Sequence, residues 1–312
     1  MKLIAAIRSV RYELIAFLTG ASVMVLEIVG ARLIAPEFGT STYVWTAMIG
    51  VILGSLAVGF WIGGKMADRG GSAASLGLIL FTAAILVFFT GVFQQRVLSD
   101  IAGIGLDLRV GVLLGALLLF ALPSVLIGMV SPHLAKIRVT SLDTTGVSIG
   151  RLEAAGALGS IAGTFACGYF LLGLFGSRSI VMGVVAVLLI TSFVADPYFW
   201  RKLRLYSFAA VFIGALLVTV NPPSVLADVD SSYARYRVLS NSYDGTSVRF
   251  LVTDSAGVQS AVPADGSGRL LFSYAKRFHA AAVAYGDPGR VLMVGGGTYT
   301  FPTALINSFP KM

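Results

Sequence analysis

Seven runs of roughly 20 mostly apolar residues recur in the first 220 positions, and they leave such a chain little choice of fold. The runs are 13–35, 43–63, 74–93, 110–130, 149–172, 179–195 and 203–220, the last two being short. A bilayer interior offers no partner to a backbone N–H or C=O, so each run is expected to be a helix that satisfies its own peptide groups. Composition points the same way, with 56% hydrophobic and only 12% charged residues, far from the balance of a soluble domain. The expected fold is mainly α: a polytopic transmembrane helical bundle of about seven helices over 1–220, then a more polar part over 221–312.

Charge gives the bundle a direction. Lys2, Arg8 and Arg11 precede the first run, Lys65 and Arg69 follow the second, Lys136 and Arg138 the fourth, and Arg201, Lys202 and Arg204 the sixth. The opposite connections carry Glu37, a 94–109 stretch with two arginines against two aspartates, and Arg178. By the positive-inside rule this is a multi-pass protein of the cell membrane with a cytoplasmic N-terminus. An odd number of spans would place 221–312 on the far side, but Asp228 and Asp230 orient weakly, so its sidedness stays open. The net charge of +8 resides in these clusters, which speaks for the lipid bilayer as partner and against nucleic acid. The N-terminal basic residues resemble a signal peptide, yet the run that follows shows no small-residue cleavage site and reads as a retained helix. Cys167 is the single cysteine, so neither a disulfide framework nor a cysteine-rich metal site is expected.

Ionisable groups within spans are costly and invite a functional hypothesis. Glu27 lies about 21 Å along a helix counted from Glu13, and Thr164 reaches a similar depth along the fifth run. Two readings of Glu27 stand: a hydrogen-bonded polar group inside the bundle, or a binding group for a proton or amine. Arg32 is five residues on and about 140° around the helix, a poor direct partner that is expected to snorkel to the interface. Arg151 and Glu153 open the fifth run, where they can anchor it. His133, after Pro132, is expected at an interface, and no metal-ligand constellation surrounds it. Glycines at short spacings in the second run (Gly50, Gly54, Gly59, Gly63, Gly64) and the fifth (Gly156, Gly159, Gly163, Gly168) predict close helix packing.

Beyond Val220 the periodicity changes. Residues 233–240, 247–254 and 256–262 alternate with β-branched and aromatic positions, predicting an antiparallel β-hairpin region over 233–262 with Asp244-Gly245 as its turn. A helix over 269–285, a turn at Asp287-Pro288-Gly289 and a strand over 290–294 follow. Gly295-Gly296-Gly297 then sits where a strand would turn into a helix, a place where backbone can approach a ligand and a helix N-terminus can hold a polar group. A plain turn is an equal reading of the three glycines alone.

Two resemblances add to this. The segment Gly64-Lys65-Met66-Ala67-Asp68-Arg69-Gly70-Gly71 looks like the loop between the second and third helices of major-facilitator transporters, with Asp68 able to cap the next helix or pair with a neighbouring helix end. The glycine ladder from Gly156 to Phe175-Gly176-Ser177-Arg178 is similar to that family's fifth helix, so the bundle covers one six-helix half. Second, Tyr233 with 235–238, 249–254, Gly257-Val258-Gln259-Ser260, Asp265, Tyr274, and 291–297 with Tyr299-Thr300-Phe301-Pro302, together with Glu27 to Gly39, resemble the membrane-fused branch of the spermidine synthase family.

That resemblance implies a Rossmann-like α/β domain beginning at 269–312, with decarboxylated S-adenosylmethionine as donor substrate and no prosthetic group or metal. The family reaction is aminopropyl transfer: a diamine nitrogen such as putrescine's attacks the carbon beside the sulfonium, the C–S bond breaks and the amine loses a proton. Gln259 and Tyr274 would line the donor or amine pocket, and Gly295, Gly296 and Gly297 would bound the nucleoside. Where soluble members carry Gly-Gly-Gly-Asp-Gly, this chain has Thr298 and Tyr299 after its glycines, and Lys276 replaces a glutamate common two residues after the Tyr274 position. The family's later acidic residues would fall beyond Met312. The chain is therefore expected to be C-terminally truncated and inactive alone, with no catalytic residue assigned. The alternative is a half-transporter, paired as a homo-oligomer, or a membrane scaffold that binds polyamines or other small cations.

Overall fold

The computed structural model describes residues 2–139, 141–196, 224–231, 234–253, 257–286 and 289–310. The chain divides into two compact units, Met1–Val220 and Asn221–Met312. The seventh apolar run, 203–220, lies outside the described residues.

In the first unit, six helices are long and apolar enough to cross a membrane. They are α1 (Lys2–Phe38), α2 (Thr42–Gly70), α3 (Ala73–Gly103), α4 (Leu108–Arg138), α5 (Leu142–Leu174) and α6 (Ser177–Ala195). All six coincide with predicted runs, and the first five extend several residues past them. The chain is a multi-pass membrane protein. Connections of two to four residues force successive helices to run antiparallel. Local chemistry sets the ends: Gly39 at φ 88° and Gly105 at φ 75° turn the chain after α1 and α3. Ser72 and Ser75 form a reciprocal capping box at the start of α3, and Asp107 accepts from the Arg109 N–H at 2.9 Å to start α4.

Small residues decide which helices pair. A Cβ on Gly159 would lie 1.9 Å from the Phe17 carbonyl oxygen, one on Gly163 2.5 Å from that of Ala21, and one on Gly20 2.2 Å from that of Gly156. From Phe17–Gly159 to Ala21–Gly163 both numbers rise by four, so α1 and α5 run parallel in close contact. Gly59 meets the Val125 carbonyl oxygen and Gly63 meets Met129, so α2 and α4 are also a parallel pair. Gly91 faces Val181 and Met182, while Ser192 Oγ donates to the Gly77 carbonyl at 2.7 Å; α3 and α6 are antiparallel. The predicted glycine packing thus holds for five residues, whereas Gly50, Gly54, Gly64 and Gly168 meet no atom within 4 Å among the described residues.

Helix α4 is interrupted by a π-helical turn at Leu117–Ala121 just before Pro123. A proline has no N–H for the carbonyl four residues back, which here is Leu119. Thr90 of α3 takes that carbonyl instead, its hydroxyl donating at 2.7 Å from a buried position. His133 is 0% exposed within the bundle, with Nδ1 2.8 Å from the Met129 carbonyl one turn earlier. Asp68 pairs with Lys136 Nζ at 3.2 Å, joining the end of α2 to the last turn of α4.

Aromatic and basic side chains mark two levels along α2. Arg109 lies over the Tyr43 ring at 4.9 Å and Lys65 over the Trp61 ring at 3.7 Å. Tyr43 and Trp61 are separated by about 27 Å of helix, close to the roughly 30 Å of a hydrocarbon core. Such rings favour the membrane–water boundary.

The second unit opens with a four-stranded antiparallel meander in the order β1-β2-β3-β4: β1 (Val225–Asp230), β2 (Arg235–Tyr243), β3 (Thr246–Thr253) and β4 (Val258–Pro263). Asp244 and Gly245, at φ 51° and 72°, make the expected hairpin turn. Strand β1 was not anticipated; it is tied to β2 by a bidentate Asp228–Arg235 pair, with N–O distances of 2.7 and 2.5 Å. Helix α7 (Ser273–Tyr285) begins four residues later than predicted, and α8 (Thr300–Ser308) follows the glycines. Residues 291–294 are irregular rather than a strand, with Leu292 and Val294 exposed by 91% and 94%. Among the described residues no neighbouring strand supplies a ladder for them, and a lone strand is not stable by itself.

Candidate functional site

Within the bundle the predicted polar residues do not converge on one point. Phe17 lies opposite Gly159 and Ala21 opposite Gly163, so Thr164 is level with Ser22 and Glu27 lies about 7.5 Å further along α1. That separation corrects the expected common depth. Thr164 turns its hydroxyl back to the Ser160 carbonyl at 2.8 Å. Glu27 is half-buried, makes no hydrogen bond or ion pair among the described residues, and comes level with the π-helical turn Ala166–Leu171 of α5. Arg32 is half-buried and within electrostatic reach of the buried Cys167 in the same turn.

Arg151 and Glu153 are exposed, about two to three turns into α5. Glu153 Oε1 accepts from Ser131 Oγ of α4 at 2.8 Å. Ser131 carried no signal in the sequence, because its partner is 22 positions away and only the helix pairing brings them together.

In the second unit the three glycines form an open, left-handed loop. Their φ angles are 91°, 148° and 56°, and Tyr299 follows at 58°. Each glycine conformation is one that L side chains rarely adopt. A Cβ on Gly297 would also come within 2.9 Å of Ser260. The loop is fixed to β4 through hydroxyls: Ser260 Oγ is 2.5 Å from Thr298 Oγ1 and accepts from the Thr298 N–H at 3.1 Å. Thr298 Oγ1 is in turn 3.0 Å from Thr300 Oγ1 at the first turn of α8.

Thr298 therefore holds the loop in position. Ser260 was named in the sequence only as part of the segment Gly257-Val258-Gln259-Ser260 and given no role of its own, because its contact spans 38 positions.

Tyr274 and Gln259 are placed differently. Tyr274 belongs to a row of rings running from Tyr243 through Phe272, Tyr274 and Phe278 to Phe301 of α8, with centroid spacings of 5.9–6.3 Å. The row ends beside the glycine loop. Gln259 falls at a register shift between β3 and β4, is exposed, and makes no hydrogen bond among the described residues. Asp265 binds the Ser267 N–H at 2.9 Å, which lowers its carboxyl below the ordinary range. Among the described residues no group of three or more His, Cys, Asp or Glu side chains could hold a metal.

The backbone of the loop is open at Gly295, α8 begins beside it, and the side chains nearest its last glycine are the hydroxyls of Ser260 and Thr298. No family model, no curated protein and no solved structure matches this chain.

Proposed function

We propose that this chain is a membrane-bound protein of the spermidine synthase-like type, in which the Gly295–Gly297 loop bounds the nucleoside of decarboxylated S-adenosylmethionine. In this reading 203–220 forms a seventh span, the N-terminus is cytoplasmic, and 269–312 is part of a Rossmann-like domain. The observation that carries it is the loop itself: three consecutive left-handed glycines between a β-meander with its helix and a new helix N-terminus, fixed by Ser260. Such a loop admits a ligand to within backbone contact. Binding rather than turnover is assigned to these residues, because Thr298, Tyr299 and Lys276 supply none of the negative charge that would hold the donor's cationic end or an incoming amine.

Isothermal titration of the full chain in nanodiscs with decarboxylated S-adenosylmethionine tests this. The expected result is saturable binding that Gly297→Val abolishes, with no aminopropyl product from added putrescine. Absence of binding, or equal binding by the variant, would refute it.

A second reading, a half-transporter or small-cation-binding bundle completed by another copy, is favoured by Gly50 and Gly54 of α2, whose open faces meet nothing within 4 Å among the described residues. Single-molecule photobleaching in nanodiscs should then show two copies per particle; one copy throughout would exclude it.

A further inference from the structure

A cavity of about 300 Å³ opens between α1, α2, α4 and α5, bounded by Glu153, Ser131, Thr19, Ser160, Phe60 and Val23 among others. Its polar lining is unusual in one respect. Thr19 Oγ1 donates to the Ile15 carbonyl at 2.8 Å, Ser160 Oγ to the Gly20 carbonyl at 3.3 Å, and Ser131 Oγ to Glu153 at 2.8 Å. Each of these three hydroxyls has committed its proton, so what these side chains offer a ligand is lone pairs, together with the carboxylate. Among the described residues no lysine, arginine or histidine lines the cavity. A carboxylate or phosphate would find only acceptors there, and a neutral alcohol one donor's worth of partners. An ammonium group, all donor and no acceptor, is complementary.

Position supplies the rest of the ligand. Phe60 adjoins Trp61, whose ring with Lys65 marks one membrane boundary, so the cavity begins just inside that level. Glu153 and Ser131 lie at one end; from Glu153 to Ser160 is about 10 Å of helix, with apolar walls between. We infer that this cavity binds a primary alkylammonium, with its nitrogen on the Glu153 carboxylate and its hydrocarbon running between the α1–α5 pair and the α2–α4 pair toward Val23. The head can belong to a water-soluble amine or to an ethanolamine lipid. The site is separate from the glycine loop and does not depend on that loop binding a nucleoside.

The test uses the full chain in nanodiscs of phosphatidylcholine and phosphatidylglycerol, titrated with n-hexylamine, n-hexanol and hexanoate. Hexylammonium should bind saturably at one per chain and at least tenfold more tightly than the other two. Glu153→Gln should weaken it at least tenfold and Ala157→Phe, which fills the cavity wall, should abolish it, while Glu27→Gln should leave it unchanged. Should Glu153→Gln fail to fold, Ala157→Phe carries the test. Hexanol binding as tightly as hexylammonium, or unchanged affinity in the folded variants, would overturn the proposal. Exchanging phosphatidylcholine for phosphatidylethanolamine assigns the source: competition identifies the lipid headgroup, and its absence a soluble amine.

Discussion

Replacing Gly159 by alanine probes the closest helix contact in the bundle. The added Cβ would lie 1.9 Å from the Phe17 carbonyl oxygen, against the 3.4 Å at which ordinary contact begins, a deficit of about 1.5 Å. That oxygen is backbone, so no side chain can rotate aside; α1 must move. Retreat by even 0.5–1 Å forfeits a quarter to a half of the dispersion energy of each contact it opens, and the neighbouring contacts of Gly20 with Gly156 and of Gly163 with Ala21 open with it. The expected cost is about 1–3 kcal/mol. At about 2–4 °C per kcal/mol for a chain of this size, the melting temperature should fall by roughly 5 °C.

Cys167, the only cysteine and fully buried, makes a thiol-reactive fluorophore a direct reporter of bundle unfolding in detergent. Gly54→Ala, whose Cβ meets nothing within 4 Å, is the matched control and should melt with or slightly above the parent. Equal melting of Gly159→Ala and the parent, or a lower value for the control, would refute the parallel α1–α5 contact.

Other expectations follow from single interactions. Thr90→Val keeps the shape of the side chain but removes the donor to the Leu119 carbonyl, and should cost about 1 kcal/mol by the same fluorophore assay. Asp228→Ala removes the bidentate partner of Arg235 in a pair whose side chains are 15% and 17% exposed. It should destabilise the meander by about 2 kcal/mol, read as faster amide exchange across β1 and β2. Asp265 is held ionised by the Ser267 N–H, so its folded pKa lies below the unfolded one. Its contribution is complete above the unfolded value, near 3.9, and is lost as pH falls through the folded one. The Ser267 amide resonance should therefore titrate below pH 3.9, and a midpoint above that value would contradict the contact.

Hydropathy made six helices legible because lipid enforces one backbone solution on any long apolar run. Which helices touch was not legible. Gly59 and Gly63 pack tightly while Gly50 and Gly54, at the same spacing in the same helix, face nothing; a glycine pattern names the faces that permit approach, not the one that is used. That His133 is buried against its own helix, with Nδ1 on the Met129 carbonyl, was not legible either, because a ring's burial depends on which neighbouring helices cover it.

In the second unit the Asp244-Gly245 turn was readable from local backbone preference. Strand β1 escaped although Val225, Ala227 and Val229 alternate, its short run being broken by Asp228 and Asp230, and Asp228 is neutralised by a pairing invisible in sequence. The apolar run 291–294 carried a strand signal that the described residues cannot satisfy, since strand formation needs a neighbour. The glycine loop was visible as composition, but its anchoring by Ser260 through Thr298 was not.

The proposed nucleoside role of that loop is tested most directly by saturation-transfer NMR of decarboxylated S-adenosylmethionine with the full chain in nanodiscs, resolved by proton. Backbone contact at Gly295–Gly297 predicts the strongest transfer to the adenine and ribose protons and the weakest to the aminopropyl chain, whose expected carboxylate is replaced by Thr298. Transfer concentrated on the aminopropyl chain, or none to any proton, would contradict the account.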